Sequence, residues 1–70
     1  MVITIWRVDV YYPVTGVYSS TLHSGKTREE AVYKALQHVP YALLEEHEYP
    51  QVTHVRVDSL YRGNPYDLVI

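Results

Sequence analysis

Hydrophobic and polar residues alternate in three stretches of the chain, and one further stretch repeats its apolar residues at helical spacing. Alternation among β-branched and aromatic residues is typical of strands that bury one face. The predicted strands are Val2–Tyr12, Val17–His23 and Gln51–Tyr61. Pro13 and Gly16 predict a hairpin turn between the first two, because proline fixes one corner and glycine accepts a positive φ. The serines and threonine of the second strand predict that it lies at a sheet edge.

The alternation also predicts which side chains share a face of the sheet. In the first strand, the largely apolar face that should meet the core comprises Val2, Thr4, Trp6, Val8, Val10 and Tyr12. The odd positions Arg7, Asp9 and Tyr11 should then face away from the core. In the third strand, the same alternation puts Thr53, Val55, Val57, Ser59 and Tyr61 on one face, and His54, Arg56 and Asp58 on the other.

The segment Ser24–Val39 predicts a helix. Thr27 followed three residues later by Glu30 is a capping box, which starts a helix at Thr27, and Pro40 stops it. The apolar residues of this segment fall on one continuous stripe, which comprises Ala31, Val32, Ala35, Leu36 and Val39. The two small alanines should let the helix lie close to the sheet.

These elements predict a small α+β fold in the order β-β-α-β, with residues 1–70 forming a single domain. A helical crossover returns the third strand beside the first, which gives an antiparallel sheet of order 2-1-3 with the helix on one face. Residues 66–70 are an optional fourth strand, and residues 41–49 fit either a further helical turn or a loop. The helix-free face, which we call the open face, should display Arg7, Asp9, Tyr11, His54, Arg56 and Asp58 together.

Composition narrows the classes of function. The chain has eight tyrosines, one tryptophan and no phenylalanine. Because so small a core cannot bury eight tyrosines, this content favours a partner-binding surface.

The absence of cysteine excludes disulfides, fits a cytoplasmic protein and leaves tight packing or a homodimer to add stability. The net charge of −2 argues against a general polyanion binder. Arg7 and Asp9 interrupt the first apolar run, so neither a signal peptide nor a membrane span is predicted.

One string looks catalytic, namely Ser24-Gly25-Lys26-Thr27. It matches the end of a phosphate-binding loop, which also needs a glycine five residues before its last glycine. Ser20 occupies that position, so the string is predicted to cap the helix instead. No pair has metal-ligand spacing among the histidines His23, His38, His47 and His54. The sequence therefore predicts no metal, no cofactor and no enzymatic activity.

Nucleic-acid recognition is the alternative function for the open face. Arginines interleaved with tyrosines could form a platform on which single-stranded bases stack. Asp9 and Asp58 on the same face oppose this interpretation. The same carboxylates also fit a cross-strand ion-pair ladder with Arg7 and Arg56, which would be a purely structural arrangement.

The run Thr27-Arg28-Glu29-Glu30-Ala31, which leads into an Ala/Leu helix after a hairpin, resembles the half-fold of HicB-type antitoxins. The chain lacks that family's proline- and glycine-containing segment after the first strand, and it lacks the DNA-binding tail. What this resemblance implies is an antitoxin-like regulator.

A second resemblance covers more of the chain. The helix motif Thr-x-x-Glu-Ala ends at Val39-Pro40 and is followed by the strand run Val52-Thr53-His54-Val55-Arg56-Val57. This order after a hairpin is similar to the small RNA polymerase inhibitors of short-tailed coliphages. In that family the third strand carries two arginines at alternate positions that dock on the host polymerase. They fall at His54 and Arg56 here, and only Arg56 matches in kind.

This second resemblance implies a phage-encoded protein that acts in the cytoplasm of the host cell. Such a protein would bind and inhibit a host machine, for instance RNA polymerase or a defence nuclease, without catalysing a reaction. The six residues of the open face are then the predicted partner-binding site.

Overall fold

The structure is a computed structural model that describes residues 2–38 and 47–64. Its elements are β1 (Val2–Tyr12), β2 (Val17–Ser24), α1 (Arg28–Gln37) and β3 (Gln51–Arg62). The predicted order β-β-α-β is confirmed, and β2 and β3 are each one residue longer than predicted. The optional strand at residues 66–70 lies outside the described residues, as do residues 41–46 of the ambiguous segment.

β1 is the central strand of a three-stranded antiparallel sheet with the order β2-β1-β3. At its middle, Val8 lies opposite Thr21 on β2 and opposite Val55 on β3. The helix lies on one face of this sheet. The predicted α+β fold with a 2-1-3 sheet is therefore confirmed.

The β1–β2 hairpin depends on a glycine and on a distant carboxylate. Gly16 has a φ of 76°, and its N–H donates to Tyr12 O at 2.8 Å, as the predicted turn requires. The Glu48 carboxylate accepts the backbone N–H groups of Val14, at 3.1 Å, and Thr15, at 2.7 Å. Loss of solvent raises the pKa of Glu48, but these backbone bonds outweigh it and leave the pKa below its ordinary value. Glu48 therefore fastens the turn to the chain that leads into β3.

The core is a contact between two alanines of the helix and the central strand. Ala31 and Ala35 are buried against Val8, Val10 and Tyr12 of β1. Half-buried residues from all three strands complete the cluster, namely Trp6, Val17 and Val55. Small side chains on the helix let its backbone approach the sheet, as the sequence predicts.

The predicted core face of β1 is wrong at its first residue. Val2 is 55% exposed. The segment that enters α1 contacts β1 at Thr4, whose carbonyl accepts the N–H of Gly25 at 3.1 Å. Val2 lies two residues before this contact, beyond the start of the helix, so the helix does not cover it. Ile5 is buried as well, on the face away from the helix and outside the core cluster.

The segment entering the helix is bonded to β1 on both sides of Gly25. Besides the bond to Thr4, Gly25 O accepts the indole N–H of Trp6 at 3.0 Å. A Cβ atom at Gly25 would lie 3.2 Å from Ala31 N, so a larger residue would press on the first turn of the helix. Glycine therefore allows the close approach that the alanine contact needs.

Thr27 caps the helix, as predicted. Its hydroxyl accepts the N–H of Glu30 at 3.2 Å, and its backbone is extended, as an N-cap residue requires. The Glu30 carboxylate accepts the N–H of Lys26 at 3.1 Å, one residue before the position that a standard capping box uses. Both partners of the predicted box therefore satisfy backbone donors at the start of the helix.

β3 does not keep one alternation along its length. Its register with β1 shifts between Ile5 and Trp6 and again between Asp9 and Val10, which leaves Asp58 and Thr53 as extra residues on β3. The face predicted from alternation is therefore wrong after Asp58: Ser59 and Tyr61 lie opposite Ile5 and Ile3, on the open face. Leu60, opposite Thr4, lies instead on the helix side.

The alanine contact is testable by overpacking. Ala31→Leu should lower the free energy of unfolding by about 1–3 kcal/mol, because the larger side chain forces the helix away from β1. Tyr33→Leu adds the same residue at an exposed position of α1 and should change stability by less than about 0.5 kcal/mol. Urea unfolding followed by Trp6 fluorescence measures both. Equal stability of the two variants would contradict the close packing.

Candidate functional site

The structure places the predicted site residues on two adjacent strands. β1 supplies Arg7, Asp9 and Tyr11, and β3 supplies the other three, namely His54, Arg56 and Asp58. Directly opposed pairs in the register share a face, which brings Arg7 together with Arg56 and Asp9 together with His54. The described elements place α1 on the other face of the sheet, so these side chains form a continuous polar surface.

Arg7 and Asp58 are joined by an ion pair on this surface. Asp58 Oδ1 accepts Arg7 Nη2–H at 3.0 Å and Arg7 Nε–H at 3.3 Å. A third guanidinium contact, from Nη1 to Ser20 Oγ, is 3.5 Å long. Val57 pairs with Trp6 and Ser59 pairs with Ile5, so Asp58 between them is the extra residue of a bulge. The bulge lets the Asp58 carboxylate reach Arg7.

Asp9 is the centre of the open face. Its side chain is only 14% exposed, and His54 Nδ1 lies 4.0 Å from its Oδ2. The Ser20 hydroxyl is the largest influence that lowers the pKa of Asp9, and the Tyr18 hydroxyl and the charges of Arg56 and His54 lower it further. Partial burial raises the pKa but does not outweigh them. Asp9 is therefore held as a carboxylate in the folded protein.

Arg56 has a different environment from Arg7. The two arginines lie directly opposite each other across the strands, an arrangement that costs free energy because like charges face each other. Arg7 is neutralised by Asp58, whereas Arg56 is exposed and forms no ion pair within 4 Å in residues 2–38 and 47–64. The predicted ion-pair ladder is thus present between Arg7 and Asp58, while Arg56 feels Asp9 only at longer range.

The sequence prediction missed the contribution of β2 to this face. Tyr18 lies opposite Tyr11, and Ser20 lies opposite Asp9. Tyr18 is 57% exposed, so it adds a large amphipathic surface beside the charged residues. The sequence could have predicted this contribution, because Tyr18, Ser20 and Leu22 are spaced two apart along β2 and residues at that spacing share a face of a strand.

Several tyrosines are exposed, as expected for a core too small to bury all of them. Six tyrosines lie in the described residues, and Tyr12 is the one that enters the core. Three of the others are exposed, namely Tyr18, Tyr33 and Tyr49. These three lie on different parts of the molecule, and Tyr18 is the one next to the charged residues of the open face.

Ser24, Gly25 and Lys26 line a shallow cavity of 450 Å³ between the start of β1 and the start of the helix. Lys34 Nζ donates to Ser24 Oγ at 3.0 Å on its wall. The N–H groups of Gly25 and Lys26, which a phosphate loop would turn toward a ligand, bond instead to Thr4 O and to the Glu30 carboxylate. The arrangement therefore supports helix capping, the role predicted from the sequence.

Two histidines pack against each other at the far end of the helix. The rings of His23 and His38 are stacked, with centroids 5.4 Å apart. Burial lowers the pKa of His23, and the charges of His38 and Lys34 lower it further.

Within the described ranges, no three histidine or acidic side chains gather as a metal site would require. In the same ranges, no helix is long and apolar enough to cross a bilayer.

Comparison with known proteins adds no relative. No protein-family model, curated protein or solved structure matches the chain. The resemblances to phage polymerase inhibitors and to HicB-type antitoxins therefore stay predictions that rest on the residues quoted for them.

The state of Asp9 gives a pH prediction. A carboxyl whose pKa is lower in the folded than in the unfolded chain stabilises the fold above its ordinary value of 3.8, and this stabilisation is lost as pH falls through the lowered value. Wild type should therefore lose more unfolding free energy between pH 6 and pH 3 than Asp9→Asn does. Urea unfolding at the two pH values measures the difference. An equal loss in both proteins would show that the environment of Asp9 does not favour its charged form.

Proposed function

We propose that this chain is a non-enzymatic protein-binding module whose partner docks on the open face. The surface supports binding because it is polar, is exposed at His54, Arg56 and Asp58, and is partly fixed in place by the Arg7–Asp58 pair. Arg7, Arg56, Asp9 and Asp58 bring two positive and two negative charges, so the face favours a partner with its own mixture of charges over a uniformly charged polymer.

The observation that carries this proposal is Arg56, which is exposed and has no ion-pair partner among the described residues. Its guanidinium faces Arg7 across the sheet, and the Asp58 carboxylate that could neutralise it is bonded to Arg7 instead. A carboxylate on a partner would relieve the repulsion between the arginines and could form a bidentate pair with Arg56. Arginine is also among the residues that contribute most to protein interfaces.

Tyr18 supports the same conclusion. It stands on the neighbouring edge of the open face, exposed, with its hydroxyl close enough to Asp9 to influence the carboxylate. Tyrosine side chains supply large contact areas at a small cost in conformational entropy, which suits interface centres. The open face therefore combines an arginine and an aromatic anchor on rigid strands.

The resemblance to phage inhibitors suggests the kind of partner. We include in the proposal that the chain is phage-encoded and inhibits a host protein machine, such as RNA polymerase or a defence nuclease. The match of Arg56 to one of that family's docking arginines supports this choice. His54 does not match the other, so the proposal does not fix which host machine is bound.

Affinity capture from a bacterial lysate tests the proposal, with nuclease added to half of the samples. Wild-type protein should retain a stoichiometric protein partner in both halves. Arg56→Glu should reduce its recovery at least tenfold, since reversing the charge removes the carboxylate contact and adds repulsion. Arg28→Glu makes the same charge change on the helix and should leave recovery unchanged.

Two outcomes would contradict the proposal. The first is recovery of nucleic acid alone, with no protein left after nuclease treatment, which would support the nucleic-acid-binding or antitoxin-like alternative. The second is equal capture by wild type and Arg56→Glu. Circular dichroism of each variant shows that a loss of capture does not reflect a loss of fold.

A further inference from the structure

The outer edge of β3 has no neighbouring strand in the part of the chain that the structure describes. β3 has 12 residues, and β1 is its strand neighbour in the described part of the sheet, so its other edge faces outward there. Val55 and Tyr61 are half-buried, and the other ten residues of the strand are exposed. An outer strand with outward-facing N–H and C=O groups is a template for pairing with another strand.

The helix side of this edge is apolar. Val57 and Leu60 lie opposite Trp6 and Thr4, on the face that carries α1, and they are 53% and 57% exposed. The core cluster does not extend to them. A neighbouring strand would cover part of both side chains, which would remove apolar surface from water.

The charges along β3 favour a second copy of the same strand as the neighbour. In antiparallel self-pairing centred on Val57, Arg56 of each copy lies opposite Asp58 of the other, so two pairs of opposite charge form about the two-fold axis. Centring the pairing on Arg56 would instead oppose two arginines. Centring it on Val55 would oppose His54 and Arg56.

The bulges of β3 set the length of this pairing. Thr53 and Asp58 are the extra residues, so the regular stretch between them is His54–Val57. Pairing centred on Val57 places this stretch of one copy opposite Val57–Leu60 of the other, so the ladder crosses the bulge at Asp58. Bulges on an outer strand shorten the ladder that a neighbour can form. The self-paired ladder is therefore short, and association should depend on protein concentration.

We infer that two copies of this chain associate through antiparallel pairing of β3 with β3, centred on Val57, to form a continuous six-stranded sheet. Asp58 of each copy then lies between Arg7 of its own chain, to which it is bonded, and Arg56 of the second copy, so it offsets part of the repulsion between the two arginines. The two open faces lie side by side on the same surface of the joined sheet. This inference stands without the proposed function, since it concerns the purified chain alone.

Sedimentation equilibrium over a range of concentrations tests the dimer. The mass of the wild type should rise from 8.2 kDa toward twice that value as concentration increases. Arg56→Asp and Asp58→Arg should each shift the chain to the monomer, because each opposes two like charges. The double variant Arg56→Asp/Asp58→Arg should restore the dimer, because the carboxylate at position 56 of each copy again lies opposite a guanidinium at position 58 of the other. The carboxylate at position 56 also faces Arg7 of its own chain.

A variant on the helix side separates this test from that of partner binding. Val57→Lys places two ammonium groups at the two-fold axis and should abolish the dimer while leaving the charges of the open face unchanged. Tyr33→Lys adds the same charge at an exposed position of α1 and should remain dimeric. Circular dichroism establishes that each variant is folded.

Three results would overturn the inference. They are a wild-type chain that stays at 8.2 kDa at all concentrations, a dimer that survives Val57→Lys, and a double charge swap that fails to restore association. None of them depends on a captured partner, so failure of the dimer and failure of the proposed function are distinguishable.

Discussion

The rest of the structure depends on the contact of Ala31 and Ala35 with the central strand. These two side chains are small enough to bring the helix backbone against Val8 and Val10, and Gly25 permits the approach. A helix of ten residues is about 15 Å long, whereas a strand of twelve extends about 40 Å. One such helix can therefore cover only part of one face. Most of β3 is exposed, and the described chain supplies no second helix to cover the open face.

The uncovered face is organised by competition between charges on neighbouring strands. Two arginines oppose each other, and the Asp58 carboxylate bonds to Arg7. Asp9 is held deeper, among hydroxyls, and affects Arg56 only at longer range. Arg56 therefore lies opposite a like charge and has no ion-pair partner among the described residues. A carboxylate from a partner protein or from a second copy of the chain would reduce the repulsion that Arg56 experiences.

Local pattern was sufficient to predict the elements and their order. Alternation marked the three strands, Thr27 and Glu30 marked the start of the helix, and Gly16 marked the hairpin turn. The sequence also predicted that one face carries Arg7, Asp9, His54 and Arg56. Alternation along each strand and the crossover rule, which need only local pattern, were enough for this. What the partner is cannot be deduced from such patterns, and it stays a proposal.

Features that depend on distant residues could not be predicted in this way. The bulge at Asp58 breaks the alternation of β3 while the sequence itself continues to alternate, so nothing local announces it. Glu48 bonds the hairpin turn from more than thirty residues away, a contact that exists only once the sheet has formed. The roles of Tyr18 and Ser20 became apparent only from their register with β1, although their spacing already placed them on one face.

The central claim is that the helix supports the sheet and that binding takes place on the opposite face. Side-chain NMR of the labelled chain, titrated with the protein that it captures from lysate, tests this claim most directly. We expect the guanidinium signals of Arg7 and Arg56 and the ring signals of Tyr18 to shift, while the ring signals of Tyr33 on the helix stay in place. Shifts confined to Tyr33 and the exposed side of α1, with the arginine signals unchanged, would contradict the account.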